Sequence, residues 1–248
     1  MIYLDNAATS FHKPDCVPRA VVEAMQHAGN SGRGSSGEAM AASRLIFNTR
    51  CQIAEMFDVW GPECVAFTSN DTEALNIALQ GTLHPEEGTI HAICTEMDHN
   101  SVLRPLYRLE KKGMELTILP ADRKGRISLT ELEAAIRPET KVIVCTHASN
   151  LTGNLNDIHA IGAIAQKHQK LFIVDAAQTA GVFPISMKKD HIDILCFSGH
   201  KGLMGPQGTG AICVRPGVSV EPLKVGGSGV LTFQREHPQD MPETLEAG

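Results

Sequence analysis

The 248 residues include 42% apolar and only 4% aromatic side chains, with a formal net charge of −6, which fits one large domain with an aliphatic core. The negative balance argues against nucleic acid as a partner, because phosphate backbones are met by clustered Lys and Arg. No apolar run reaches the ~18 residues of a membrane span, and no signal-peptide pattern follows Met1. The chain therefore reads as cytoplasmic, with no membrane partner.

Residues 13–60 read as two helical segments separated by "GNSGRGSSG". That break contains Gly32-x-Gly34-x-x-Gly37, the spacing of a dinucleotide fingerprint, but a helical pattern precedes it where a strand is required. It reads as a flexible corner. From residue 64 the chain alternates short apolar runs with longer amphipathic ones. The apolar runs are "CVAFT", "TIHAICT", "ELTILP", "KVIVCT", "LFIVD", "DILCFS" and "GAICV". Rich in Val and Ile and nearly unbroken, they have the composition of strands covered on both faces. Helices are predicted over Thr72–Leu83, Ser101–Lys112, Ser128–Ile136 and Asp157–Gln169. The third opens with Ser128 and Glu131 at capping-box spacing.

The alternation predicts an α/β domain with a mostly parallel, seven-stranded sheet and helices on both faces. After Arg215 the periodicity fades into a segment rich in Pro and Gly. Three regions are expected: an arm and helices over 1–60 that pack on the rest, a main domain over 61–215, and a loop-rich segment over 216–248. The last reads as leading towards a further C-terminal domain. The seven cysteines are odd in number and form no CxxC, which argues against a disulfide framework and a zinc site. Several fall in apolar runs and are expected in the core as small hydrophobes. The sequons at Asn70 and Asn150 would matter only in a secreted chain.

In open α/β sheets ligands sit beyond the carboxyl ends of the strands. Strand-end residues read together give Asp71 and Thr72 after "CVAFT", His99 after "AICTE", and Asn150 after "KVIVCT". "LFIVD" ends on Asp175 with Gln178 three residues on, and "DILCFS" ends on Ser198, followed by His200 and Lys201. Each has an ordinary structural reading: Thr72 as a helix cap, His99 as a loop histidine, Asn150 as a turn residue, Gln178 as a helix-start side chain. Lys201 could likewise lie in a solvated turn.

Together they supply what pyridoxal 5'-phosphate demands. That cofactor needs a lysine able to become neutral, and a carboxylate facing its ring nitrogen. It needs an anion site such as a helix N-terminus with a hydroxyl, a neutral donor for its phenolic oxygen, and a flat partner for its ring. A lysine held in the glycine-rich corner "FSGHKGLMGPQGTG" then has a reason to be there.

The runs "YLDNAAT", "TSNDTEALN", "DHNSVLRP", "SNLTGN", "VDAAQ" and "FSGHKGLMGPQGTG", in that order, resemble the class V aminotransferase family in its cysteine desulfurase and selenocysteine lyase branch. The resemblance covers nearly the whole chain. It implies the large domain of a fold-type I pyridoxal-phosphate enzyme, usually a homodimer with active sites near the subunit interface. By position, Lys201 resembles the Schiff-base lysine, Asp175 the partner of the pyridine nitrogen, and His99 the residue stacked on the ring. His99 would also handle protons beside Lys201. Gln178 resembles the contact to the phenolic oxygen, and Asn150 the asparagine near cofactor and substrate carboxylate. Thr72, Ser198 and His200 resemble phosphate ligands, joined by the Asp71 backbone N–H, since an acidic side chain suits phosphate poorly. Ser228 in "GGSG" resembles the residue that reaches the phosphate of the partner subunit.

The implied activity is a cysteine desulfurase, which moves sulfur from cysteine to an acceptor and leaves alanine, or a selenocysteine lyase. In desulfurases the persulfide-bearing cysteine and a carboxylate-binding arginine follow this stretch. Neither is placed among these residues. Two other readings stay open: a class V transaminase or β-lyase, and a non-catalytic dimerisation module.

Overall fold

All seven apolar runs from residue 64 onward form strands, and one sheet takes them all in the order β1-β7-β6-β5-β4-β2-β3. The computed structural model describes residues 2–31, 36–227, 229 and 233–247. The strands are β1 (Val65–Thr68), β2 (His91–Thr95), β3 (Glu115–Leu119), β4 (Thr140–Thr146), β5 (Leu171–Asp175), β6 (Ile194–Ser198) and β7 (Gly210–Val214). Only β7 runs against its neighbours, pairing antiparallel with both β1 and β6. The other six share one direction, so their carboxyl ends fall on a single edge of the sheet. β7 begins at that edge, with Gly210 opposite both Thr68 and Ser198.

The helices are α1 (Cys16–His27), α2 (Gly37–Met56), α3 (Asp71–Gln80), α4 (Asn100–Glu110), α5 (Leu129–Ala135) and α6 (Ile158–Lys167). Their ends lie within one to three residues of those expected for the last four. Side-chain oxygens fix the starts: Asn70 accepts from Glu73 N at α3, Ser128 from Glu131 N at α5, and Asp157 from Ala160 N at α6, each occupying a donor the helix cannot satisfy itself. Helix α2 starts at Gly37 behind the cap Ser36. The formal dinucleotide fingerprint thus ends at a helix start with no strand before it, and its residues 32–35 lie outside the described region.

Strand residues alternate between two cores, as a period of two requires. Ile143, Cys145, Phe172, Val174, Leu195 and Phe197 pack with α2, α5 and α6, whereas Val142, Val144, Ile173, Ile194 and Cys196 pack with α3 and α4. Five cysteines, at positions 64, 94, 145, 196 and 213, are buried as expected. Cys16 is a correction: it is exposed, because α1 buries none of its residues, and Cys51 is only half-buried. No helix among the described residues is long and apolar enough to cross a membrane.

Candidate active site

A cavity of about 390 Å³ opens at the carboxyl edge of the sheet. Of the residues expected in a site, Asp71, Thr72, His99, Asn150, Asp175, Gln178, Ser198, His200 and Lys201 all line it. Ser228 lies outside the described residues. The convergence follows from topology: five strand ends on one edge deliver residues that are more than a hundred positions apart in the chain. A larger cavity of about 540 Å³, lined by Trp60, Lys188 and Arg215 among others, lies at the opposite edge and contains none of these groups.

Asp175 forms the floor. It ends β5, is 2% exposed, and its Oδ1 accepts from Ala177 N at 2.9 Å. Burial pushes its carboxyl up; the Ala177 N–H and the charges of Lys201 and His99 pull the other way. Asp71, the first residue of α3, is also buried, at 5% exposure. Its backbone N–H, expected to be free for a phosphate, donates instead to Ser198 Oγ at 3.2 Å. Its side chain turns inward rather than away from the site. Burial, then the charge of Asp175, hold its carboxyl well above the usual range, against the pull of Lys201.

Thr72 follows at the second position of α3 and is exposed. His99 caps α4: its Nδ1 accepts from Ser101 N at 3.2 Å and lies 2.8 Å from Ser101 Oγ. Because Nδ1 is an acceptor, the imidazole carries its proton on Nε2 when neutral. Gln178 donates from Nε2 to Ala7 O at 3.1 Å.

The lysine corner is held from outside the sheet by the N-terminal arm. Ser10 Oγ donates to Lys201 O at 2.6 Å, Ser10 N donates to His200 O at 3.1 Å, and His200 Nδ1 lies 3.0 Å from Thr9 Oγ1. Burial and the neighbouring charges of Lys201 and Lys13 lower the His200 imidazole, favouring its neutral form. Inside the corner, glycine is required by close approach. A Cβ on Gly202 would meet Ala180 O and Val182 Cγ2, and one on Gly210 would lie 2.8 Å from the carbonyl carbon of Asn70. The lysine loop is thereby pressed against the loop after β5 on one side and the start of α3 on the other.

Two groups of site residues were not expected. Thr9 ends the run "YLDNAAT" and Ser10 follows it, a stretch whose resemblance implies no role for either. Their signal was a polar cluster before the first helical pattern. Asp98, directly before His99, accepts from Thr95 N at 2.7 Å, Thr95 Oγ1 at 2.9 Å and Thr146 N at 2.5 Å. It ties the ends of β2 and β4 together beneath His99. Its signal was an acid immediately ahead of a helix cap. Burial pushes the Asp98 carboxyl up to about 7 despite these donors.

The arrangement has a buried carboxyl floor, a lysine beside it, a helix start with hydroxyls, and a histidine with a defined proton. Such a site can bind a phosphorylated, cationic heterocycle and move protons next to it.

Residues 2–248 match the family model for aminotransferase class-V. Over 230 residues the chain is 35% identical to the putative cysteine desulfurase IscS 1 of Bacillus subtilis, covering 91% of this chain and 59% of that one. Over 252 residues it is 32% identical to a probable cysteine desulfurase of Methanothermobacter thermautotrophicus, covering 100% and 62%. Among solved structures it superposes on SspA in complex with cysteine, with a TM-score of 0.87 and 31% identity, covering 92% of this chain and 66% of that one. It also superposes on the apo cysteine desulfurase of Thermococcus onnurineus NA1, with a TM-score of 0.86 and 33% identity, covering 100% and 62%. The chain thus spans about three fifths of the length of these curated relatives.

Proposed function

The chain belongs to the class-V aminotransferase family, and from that premise we propose that it is the cofactor-binding part of a pyridoxal-phosphate-dependent cysteine desulfurase acting on cysteine or selenocysteine. The observation that carries this reading is the meeting of Lys201, Asp175 and the start of α3 in one cavity. The residues present fit the cofactor. Asp175, a buried carboxyl that Lys201 and His99 draw toward its ionised form, would face the pyridine nitrogen. Thr72, Ser198 and His200 would hold the phosphate at the α3 terminus, where backbone N–H groups concentrate positive potential.

When bound, pyridoxal phosphate supplies an electron sink for charge left on the substrate α-carbon. The chain's own groups do the rest. Lys201 would hold the cofactor's carbonyl carbon and, once released, carry the α-proton. His99 would cover the ring and pass protons through Nε2, its orientation set by Ser101. Gln178 and Asn150 would orient the ring oxygen and the substrate carboxylate. Sulfur would leave the substrate Cβ for the thiol of an acceptor, giving a persulfide, while a proton replaces it on carbon and alanine remains.

Cysteine as substrate is supported by the superposed SspA structure, which contains it. That every cysteine here is a free thiol fits a reducing, cytoplasmic setting. The exposed apolar side chains of the arm and of α1, among them Leu4, Phe11 and Val22, fit burial in a homodimer. Sulfur would then pass to a separate acceptor protein.

None of the seven cysteines lines the cavity. That observation favours, as the second reading, a transaminase or β-lyase needing no thiol. Product analysis separates the two: alanine with persulfide in the first, a 2-oxo acid without it in the second. The cofactor assignment is tested by adding pyridoxal phosphate and borohydride. One reduced pyridoxyl adduct mapped to Lys201, absent in Lys201→Ala, is expected; an adduct elsewhere or none refutes it.

A further inference from the structure

The side chain of Asp71 plays no part in the reading above, which uses only the helix start that it occupies. It is also the least expected group in the cavity. Asp71 lines the site and is 5% exposed, and no donor among the described residues reaches its Oδ1, which is buried. The group within hydrogen-bonding reach of the Asp71 carboxyl is another acceptor, the carboxyl of Asp175, itself 2% exposed. Two buried carboxyls in contact cannot both ionise without strong repulsion, and a proton between them resolves the conflict. A buried oxygen lacking any donor has the same remedy, since a protonated carboxyl becomes a donor itself.

Resting on the pyridoxal-phosphate reading, we propose that Asp71 and Asp175 share one proton and that Asp71 thereby acts as a positioning residue, making acceptance of the cofactor proton-linked. Both ends of the ligand call for this arrangement. A pyridinium N–H needs Asp175 ionised. A phosphate at the start of α3 needs its first residue neutral, because a second negative charge there opposes the helix dipole that attracts the anion. The pair with the proton on Asp71 meets both demands; the pair without it meets only one. The other titratable groups around the pair are few. Lys201 faces both carboxyls, His99 and Asp98 face Asp175, the Cys196 thiol lies near both from β6, and the Cys145 thiol lies near Asp175 from β4.

The sign follows. At high pH the free protein loses the shared proton while the bound form retains it, so affinity falls as pH rises. One linked proton corresponds to at most about tenfold in Kd per pH unit. Asp71→Asn keeps the shape and an N–H donor for Asp175 but has nothing to lose, so its profile lacks this fall.

The experiment is the Kd for pyridoxal phosphate, measured by absorbance across neutral to alkaline pH, in the wild type and in Asp71→Asn. The cofactor's own titration is common to both and cancels in the ratio of the two constants; that of Lys201, which faces Asp71, is measured in each protein from the pH dependence of its borohydride-trapped adduct. A ratio of wild-type to variant Kd that rises with pH is expected. A constant ratio overturns this inference and leaves the cofactor reading standing. Binding by neither protein overturns both. A second measurement needs neither variant nor cofactor: carbon-13 NMR of labelled aspartate in the wild type should show a carboxyl pair retaining one proton through neutral pH. Two carboxylates both ionised at neutral pH would overturn the proposal.

Discussion

Replacing Gly202 by alanine should separate the lysine from its carboxylate without removing either. A Cβ at this position would lie 2.5 Å from Val182 Cγ2, and closer still to the carbonyl oxygen of Ala180, whereas ordinary contact begins at 3.4 Å. Val182 can rotate away, but Ala180 is 1% exposed and its carbonyl belongs to the backbone just beyond Gln178. The lysine loop or the loop after β5 must therefore yield by about 1 Å, at a cost of about 1–3 kcal/mol for overpacking. For a domain of this length about 2 kcal/mol lowers Tm by about 4 °C. The larger effect should fall on function, because a displacement of about 1 Å between reacting groups costs on the order of a hundredfold. The assay pairs thermal unfolding with the rate of Lys201 adduct formation by pyridoxal phosphate and borohydride. Gly37→Ala, whose Cβ meets nothing within 4 Å, serves as a control expected to match the wild type in both. Gly202→Ala with unchanged Tm and unchanged adduct rate would refute the view that close packing requires the glycine.

Two further expectations concern buried groups. Burial raises the Asp98 carboxyl from 3.8 to about 7. Its contribution to stability is then complete below about 3.8 and lost as pH climbs to about 7, a span equivalent to about 4 kcal/mol. Asp98→Asn, which does not titrate, should gain on the wild type by up to that amount between acid and neutral pH in urea unfolding; a relative loss would mean that the three donors outweigh burial. Among the cysteines, burial pushes up the thiols of Cys64, Cys94, Cys145, Cys196 and Cys213. An aromatic disulfide reagent should modify exposed Cys16 first and half-buried Cys51 more slowly. Modification of more than these two in the native protein would contradict the placement of the rest.

The sheet was legible because its inner strands, β2 and β4 to β7, are buried on both faces. Such strands must be apolar along their whole length, so "KVIVCT" and "LFIVD" stand out from any amphipathic helix beside them. Two helix starts were legible for a similar reason: Ser128 and Asp157 carry oxygens where the backbone has unpaired donors, whereas at α3 the cap is Asn70 and not Thr72, which lies inside the first turn. The order of strands was not legible. Nothing in the composition of β7 distinguishes an antiparallel strand inserted between β1 and β6 from the six parallel ones, because pairing direction depends on how the chain returns to the edge. Cys16 was misjudged because α1 has a well-formed apolar face, none of whose residues is buried among the described residues. A periodicity can announce a face without announcing its partner.

The candidate site divides along the same line. Residues at strand ends meet in one cavity because a parallel sheet places all such ends on one edge, whatever the strand order. What depends on side-chain direction was missed. Asp71 was read as a backbone donor to an anion, on the ground that a carboxylate repels phosphate. That ground holds only for an ionised side chain facing solvent. Helix α3 starts directly behind Ser198, whose Oγ takes the Asp71 N–H, and this fixes the residue's Cα close to the end of β6. From there the carboxyl lies against Asp175, where burial changes its chemistry from repelling anion to neutral donor. The same residue type has opposite consequences a few ångströms apart, and only the packing of α3 against β6 decides which of them applies.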